Sequence, residues 1–523
     1  MRKEFNDTGL CVVNKHFMVD TTNKIEQIFT RLIERGKYFT INRSRQFGKT
    51  TTISLISDLL KTKDEYFVIE TSFEGIGDDI FQDQKSFSYG FLKHLYSRTK
   101  FFNPDLANIF LEESKQVSNL SDLSEFITDF TFKKQKKVVL IIDEVDKSSN
   151  NQLFLSFIGM LRDKYLKRDR GEDYTFHSVI LAGVHDVKTI KLKIRPDSEE
   201  KLNSPWNIAV DFNIDLSFKA WEIVSMLDSY TNETGIEMDK KAISEKLYYY
   251  TSGYPYLVSK MCKFIDEDII VNRENKNWTI DDVDQAFHKI VYSGYTTTLF
   301  DSMSKNLENN KELYDFIFDI VVQNAKKSFS INNPIVNLAH VYGIIKDAGK
   351  CAIHNRIFAQ RIYDYMLSKL ETSNYFESVP FHDKYFIGSD IDMPYIMRRY
   401  QQFMKEQYSH KDKKFIEREG RLLFLSYLKP IINGNGYDFK EPVVGEDRRM
   451  DIVVTFGKKR YVIELKIWYG EEYHQSGLQQ LSDYLDIYSL KKGWLLIYDF
   501  RKSKKYTEEI INFKDKEIFT VWV

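Results

Sequence analysis

The chain has 523 residues, 42% of them hydrophobic and 29% charged, with 75 Lys and Arg balanced against 76 Asp and Glu. That length implies roughly three to four domains, and the composition excludes a disordered chain. The charge balance excludes a global field that would draw the protein to nucleic acid, so any such contact must come from local patches.

Residues 1–218 alternate short β-branched apolar runs with longer amphipathic stretches. Strands are predicted at 38–41, 66–69, 138–142, 178–181 and 208–210, with helices at 50–61 and 153–166. Such alternation predicts an α/β domain with a mainly parallel sheet. From 219 to about 370 the helical period dominates. Helices at 221–230, 239–250, 255–266 and 280–291 form a helical lid (219–300). Helices at 310–323, 335–342 and 355–370, with a hairpin at 343–353, suggest a winged-helix module (301–370). Residues 371–410 read as a connecting helical segment. The last unit, 411–523, is α/β again: a helix at 415–428, a hairpin at 449–467, a helix at 473–488, and strands at 493–498 and 517–523.

Cys11, Cys262 and Cys351 are scattered, which gives no disulfide framework and fits a reducing cytosol. The opening residues carry no signal-peptide pattern. No stretch approaches the roughly twenty apolar residues of a membrane span, so a cytoplasmic protein without membrane contact is expected.

Arg43-Ser44-Arg45-Gln46-Phe47-Gly48-Lys49-Thr50 lies between a predicted strand and helix. It ends as a phosphate-binding loop does: a glycine, a lysine to neutralise terminal phosphate charge, and a hydroxyl for magnesium. A helix N-terminus adds partial positive charge. Arg43 stands where the first glycine of the signature belongs. The second element is 136–144, an apolar run ending in Asp143 and Glu144, 94 positions after Lys49. A buried strand reads this way; Asp143 would hold magnesium with Thr50, and Glu144 would orient or deprotonate the attacking water.

With Lys15-His16-Phe17-Met18-Val19-Asp20, Val179-Ile180-Leu181-Ala182-Gly183-Val184-His185-Asp186-Val187 and Thr251-Ser252-Gly253-Tyr254-Pro255-Tyr256, residues 1–260 resemble the AAA-ATPase-like proteins of bacteria and archaea, relatives of the archaeal ATPase and STAND groups. The resemblance implies ATP as cofactor, bound by Gly48, Lys49, Thr50 and Thr51, and makes an arginine-bearing loop ordinary. Under it Arg43 or Arg45 touches phosphate or reaches a neighbouring subunit of a homo-oligomer, or forms a solvated basic loop. His185 senses the γ-phosphate or is a plain strand-end histidine. His16 and Phe17 flank the adenine or belong to an ordinary apolar segment.

In the last unit, 447–466 reads as two strands about a Gly457-Lys458 turn. A turn centred between those residues pairs positions whose numbers sum to 915, among them Asp451 and Glu464, with Cβ atoms about 5 Å apart. Lys466 shares the face of Glu464. Opposed carboxylates repel unless a cation separates them, and magnesium there would activate water against a phosphodiester. Residues 410–523 resemble the PD-(D/E)xK nuclease superfamily, with Met450 in place of the proline. The resemblance makes Asp451, Glu464 and Lys466 catalytic, with Glu419 as the outer acidic residue and Gln480 on the following helix. The expected whole is a P-loop ATPase domain with a helical lid and winged-helix region, plus a restriction-endonuclease-like α/β domain. Its expected function is an ATP-regulated, Mg2+-dependent nuclease on nucleic acid, DNA before RNA, in defence against mobile elements. The alternative is a nucleotide-switched signalling or DNA-binding ATPase.

Overall fold

The computed structural model describes residues 2–145, 152–184, 206–292, 297–321, 325–371, 385–387, 390–407, 420–425, 427–428, 431, 436–439, 452–456, 459–501 and 504–523. They fall into two compact units, Met1–Ser293 with Asn337–Ile344, and Gly294–Val336 with Ile345–Val523.

The first unit is built on β1 (Phe39–Asn42), β2 (Tyr66–Ser72), β3 (Lys137–Asp143) and β4 (Ser178–Gly183). Their order is β1-β4-β3-β2, and every pairing is parallel. β4 is buried throughout and β3 all but its first residue, as continuous apolar runs require when helices cover both faces. Three helices between β2 and β3, Gln84–Thr99, Pro104–Ser114 and Leu120–Lys134, start at Asp83, Asn103 and Asn119, whose side chains accept backbone N–H groups. They bring Phe91, Phe110 and Ile127 into the core.

The strand expected at 208–210 reduces to one parallel bridge, Val210 beside Phe39. The preceding residues are held in a turn, Ala209 N–H donating to the Trp206 carbonyl at 3.0 Å, while the buried Trp206 indole donates to Thr40. Helices Ala220–Thr234, Lys240–Thr251, Pro255–Phe264 and Ile280–Tyr292 follow. The N-terminal segment is tied to them through Phe5, Phe17, Tyr230 and Trp278, whose rings pack in succession.

The second unit contains helices Thr298–Glu308, Lys311–Val321 and Arg356–Glu371, and an antiparallel hairpin of β5 (Ile345–Asp347) and β6 (Cys351–Ile353). Helix Thr298–Glu308 has no counterpart in the sequence reading. After the two-residue pair β7 (Phe386–Ile387) and β8 (Asp390–Ile391) comes a mixed sheet. Its strands are β9 (Gly436–Phe439), β10 (Ile452–Phe456), β11 (Lys459–Ile467), β12 (Lys492–Tyr498), β13 (Glu508–Phe513) and β14 (Lys516–Trp522). The order is β13-β14-β12-β11-β10-β9, with β11, β12 and β14 parallel.

Helix Glu471–Ile487 covers one face, its Leu478, Leu481, Tyr484 and Leu485 packing on Val462, Leu495 and Ile497. Tyr498 alternates to the other face and meets Tyr400 there, hydroxyl to hydroxyl at 3.0 Å. Helix Met393–Gln407, expected in the connector, is thus built onto this sheet; Gln401 also donates to the Trp522 carbonyl. Its core face, with Ile396, Met397 and Tyr400 fully buried, is the physical reason. Among the described residues no helix is long and apolar enough to cross a membrane.

Candidate functional site

β1 ends at Asn42, and the loop 43–48 runs into helix Lys49–Lys61. Gly48, at φ 80°, makes the turn into the helix, a conformation that suits glycine. The Lys49 ammonium is buried inside the loop, donating to the carbonyls of Arg43 (3.0 Å) and Ser44 (3.1 Å). One residue on, the Thr50 hydroxyl donates to Asp143 Oδ2 at 2.8 Å. β4 lies between β1 and β3, so this bond ties the helix that follows β1 to the end of a strand not adjacent to β1. The crevice at the carboxyl ends of a parallel sheet is where ligands bind. Asp143 Oδ1 accepts the N–H of Glu144 at 2.8 Å. Glu144 itself sits at φ 55°, a strained position for a non-glycine residue of the sort concentrated at functional sites.

The Arg43 guanidinium is engaged by backbone and an aromatic ring. It donates to the carbonyls of Asn42 (2.8 Å) and Ile214 (2.9 Å) and lies over the Phe212 ring. Burial pushes the guanidinium below its ordinary value, with Asp215 opposing. It therefore staples the 212–214 segment to the end of β1. Arg45 is exposed, and among the described residues its backbone carbonyl is engaged by Tyr254. His185 lies outside the described residues.

A cavity of 930 Å³, counting its open mouth, adjoins the loop. Gln46, Phe47, Gly48, Thr51 and Thr52 form one wall, and Phe17, Leu216, Phe218, Met226, Pro255 and Tyr256 give the rest an apolar character. Phe17 lines the cavity; His16 instead accepts the Val12 N–H at Nδ1. Residues 6–9 close a further side. They are pinned to helix Pro255–Phe264 by Asp7, which pairs with Lys260 (2.6 Å) and Lys263 (2.8 Å), and by Ser259, which donates to the Asn6 carbonyl.

The turn Gly253-Tyr254-Pro255 rests directly on the phosphate loop. Tyr254, wholly buried, donates to the Arg45 carbonyl at 2.5 Å and lies 3.1 Å from Ser44 Oγ; its ring meets Phe47 edge-on. Burial pushes its phenol up, and the Ser44 contact only partly offsets this. Gly253 has φ 71°, and a Cβ there would fall 1.8 Å from the Phe218 carbonyl oxygen. Gly343 also closes on Ser44, since a Cβ would fall 2.4 Å from its Oγ. The sequence reading missed the Tyr254 hydroxyl and residues 6–9 as parts of this site. The Gly-x-Pro turn was the only signal for the former, and nothing in the sequence marked the latter.

In the second unit β10 and β11 pair from Ile452 opposite Ile463 to Phe456 opposite Lys459. Those numbers sum to 915, the register the turn predicts. Asp451 and Glu419 lie outside the described residues. Glu464 is 1% exposed. Its Oε1 meets the Lys466 ammonium at 2.9 Å, and the same ammonium donates to Gln480 Oε1 at 2.7 Å. Gly477, one helical turn before Gln480, lets the lysine stem lie against the helix: a Cβ there would come 3.3 Å from Lys466 Cγ.

Glu464 Oε2 is buried and has no hydrogen-bond partner among the described residues. A desolvated carboxylate oxygen with no partner is costly and is what a hard cation takes as ligand, so Glu464 fits a magnesium ion. Among the described residues no three His, Cys, Asp or Glu converge to hold a metal. Thr50 and Asp143 supply the hydroxyl and carboxylate that magnesium takes beside a nucleotide.

The sequence matches the AAA-like domain family over residues 7–363. No curated protein sequence matches it. Among solved structures it is similar to a Walker-type ATPase of Pyrococcus abyssi, at 12% identity and TM-score 0.47, covering 68% of this chain and 99% of that one. The ORC2 protein of Aeropyrum pernix, in ADPNP and ADP complexes, gives 11% identity and TM-score 0.38 over 70% and 98%. A RuvB variant of Thermotoga maritima gives 13% and 0.33 over 69% and 96%.

Proposed function

The chain belongs to the AAA-like domain family, and from that premise we propose that it is an ATP-regulated, magnesium-dependent nuclease. The nucleotide half rests on the family and on the loop: phosphate oxygens replace the carbonyls of Arg43 and Ser44 as acceptors for Lys49. The base enters the apolar cavity beside Phe17 and Tyr256. Glu144 takes a proton from the attacking water or orients it. Nucleic acid, DNA before RNA, is the substrate.

The observation that carries the nuclease half is the shared contact of Lys466 with Glu464 and Gln480, next to a buried Glu464 oxygen that has no hydrogen-bond partner among the described residues. Glu464, with Asp451, would hold magnesium, which when bound lowers the pKa of a water nucleophile and stabilises charge on the phosphate. Lys466 holds the nucleophilic water and offsets developing negative charge, and Gln480 fixes the ammonium between turnovers. Nucleotide state in the first unit regulates access to this site.

The deciding experiment compares wild type, Glu464→Ala and Glu144→Gln on single- and double-stranded DNA and RNA, with magnesium, with and without ATP. The expected result is cleavage by wild type that Glu464→Ala abolishes. Glu144→Gln should bind ATP but lose at least ~100-fold in hydrolysis. Equal inactivity of wild type and Glu464→Ala on every substrate would sink the nuclease reading and leave a nucleotide-switched binding protein.

A further inference from the structure

The mouth of the Glu464–Lys466 site carries two tyrosines that the chemistry above does not use. Tyr469 follows the end of β11, and Tyr473 lies in the first turn of helix Glu471–Ile487. Gly470, at φ 116°, turns the chain back so that the two rings meet at 5.5 Å, edge to face. Both remain open to solvent, Tyr469 by 62% and Tyr473 by 47%. The Lys466 ammonium lies 5.7 Å from the Tyr473 ring centre, so the aromatic surface begins where the candidate phosphate-cleaving lysine ends.

We propose that Tyr469 and Tyr473 form a base-stacking platform, and that the substrate of this site is single-stranded nucleic acid. The proposal rests on the nuclease reading of Glu464 and Lys466. In a duplex the faces of the bases are taken by their neighbours, whereas an unpaired strand offers them to aromatic side chains. A duplex clamp would place cations around the rings to follow the backbone. Beside Tyr473 in the first helical turn stand the exposed carboxylates Glu471 and Glu472, which repel a phosphodiester and favour an uncharged base there. Among the described residues, the cation against the Tyr473 ring is Lys466, on the site side. The geometry therefore separates a base subsite at the tyrosines from a phosphate subsite at the lysine.

The test measures binding to the full-length Glu464→Gln protein, which holds substrate without cutting it. Fluorescence anisotropy would follow a labelled single strand of about 20 nucleotides and its blunt duplex. Expected are single-strand binding at least ~10-fold tighter than duplex, and a loss of ~10-fold or more on Tyr469→Ala or Tyr473→Ala. Tyr469→Phe and Tyr473→Phe should retain binding. Tyr469 is the control against disturbance of Lys466, and the exposure of both rings makes the alanine variants safe for folding. Equal binding of duplex and single strand, unmoved by either alanine, overturns the platform while wild-type cleavage still upholds the nuclease. No binding of either strand form, with no cleavage by wild type, overturns both.

Discussion

The Tyr254 hydroxyl donates to the Arg45 carbonyl at 2.5 Å across 209 residues of sequence, so the Gly253-Tyr254-Pro255 turn is hydrogen-bonded to the phosphate loop. Tyr254→Phe removes the donor and leaves that carbonyl and Ser44 Oγ with less to bind. Leaving a partly buried acceptor without this donor costs about 1 kcal/mol. The expected outcome is a lower melting temperature and release of a fluorescent ATP analogue accelerated about 10-fold. Unchanged release would mean that the Tyr254 turn does not hold the loop.

The Lys49 and Thr50 contacts predict separable defects. Lys49→Ala should weaken ATP binding about 10- to 100-fold with or without magnesium, since a hydrogen bond to a charged group is worth about 1.5–3 kcal/mol. Thr50→Val should spare binding in EDTA and abolish only the gain that magnesium brings. Titrations of both variants in the two buffers check this; a magnesium-independent loss in Thr50→Val would remove Thr50 from the metal site.

Asp7 gives a pH prediction. Burial alone would raise its carboxyl, but the hydrogen bonds from Lys260 and Lys263 outweigh that and hold it below the usual carboxylate range. A depressed carboxyl stabilises the fold above its ordinary pKa, and the contribution is lost as pH falls through the lower, folded value. Asp7→Asn should therefore destabilise by roughly 2 kcal/mol near neutrality, because Lys260 is left buried without its counter-charge. The difference should close as wild type is acidified below about pH 4. Parallel melting curves for the two proteins across that range would refute the pairing.

These cases mark what the sequence made legible. The loop, β3 with Asp143, and the β10–β11 register could be read because each is a local pattern: a strand run, a turn of fixed length, a motif at a strand end. The Tyr254 bond, the Asp7 strap and the packing of helix Met393–Gln407 on β14 join residues remote in sequence, and hydrophobic period does not encode a partner. The contacts of Arg43 were not legible for a related reason: its guanidinium reaches the carbonyls of Phe212 and Ile214, far away in sequence. Exposed strand β13, four of whose six residues face solvent, lacked an apolar run to announce it.

Gly477 sets activity against stability. It lies inside helix Glu471–Ile487, where alanine would favour the helix by about 1 kcal/mol. A Cβ at that position would stand 3.3 Å from Lys466 Cγ and 3.4 Å from Cε, too close unless the stem shifts, and the stem carries the ammonium held 2.7 Å from Gln480. On the proposed nuclease reading, Gly477→Ala should therefore melt at the same temperature or higher and cut its substrate about 10-fold more slowly in kcat, with KM little changed. Lys466→Met combined with Gly477→Ala should be no slower than Lys466→Met alone, because the glycine acts only through the lysine. An additive loss in the double variant would mean that Gly477 serves the helix rather than the site.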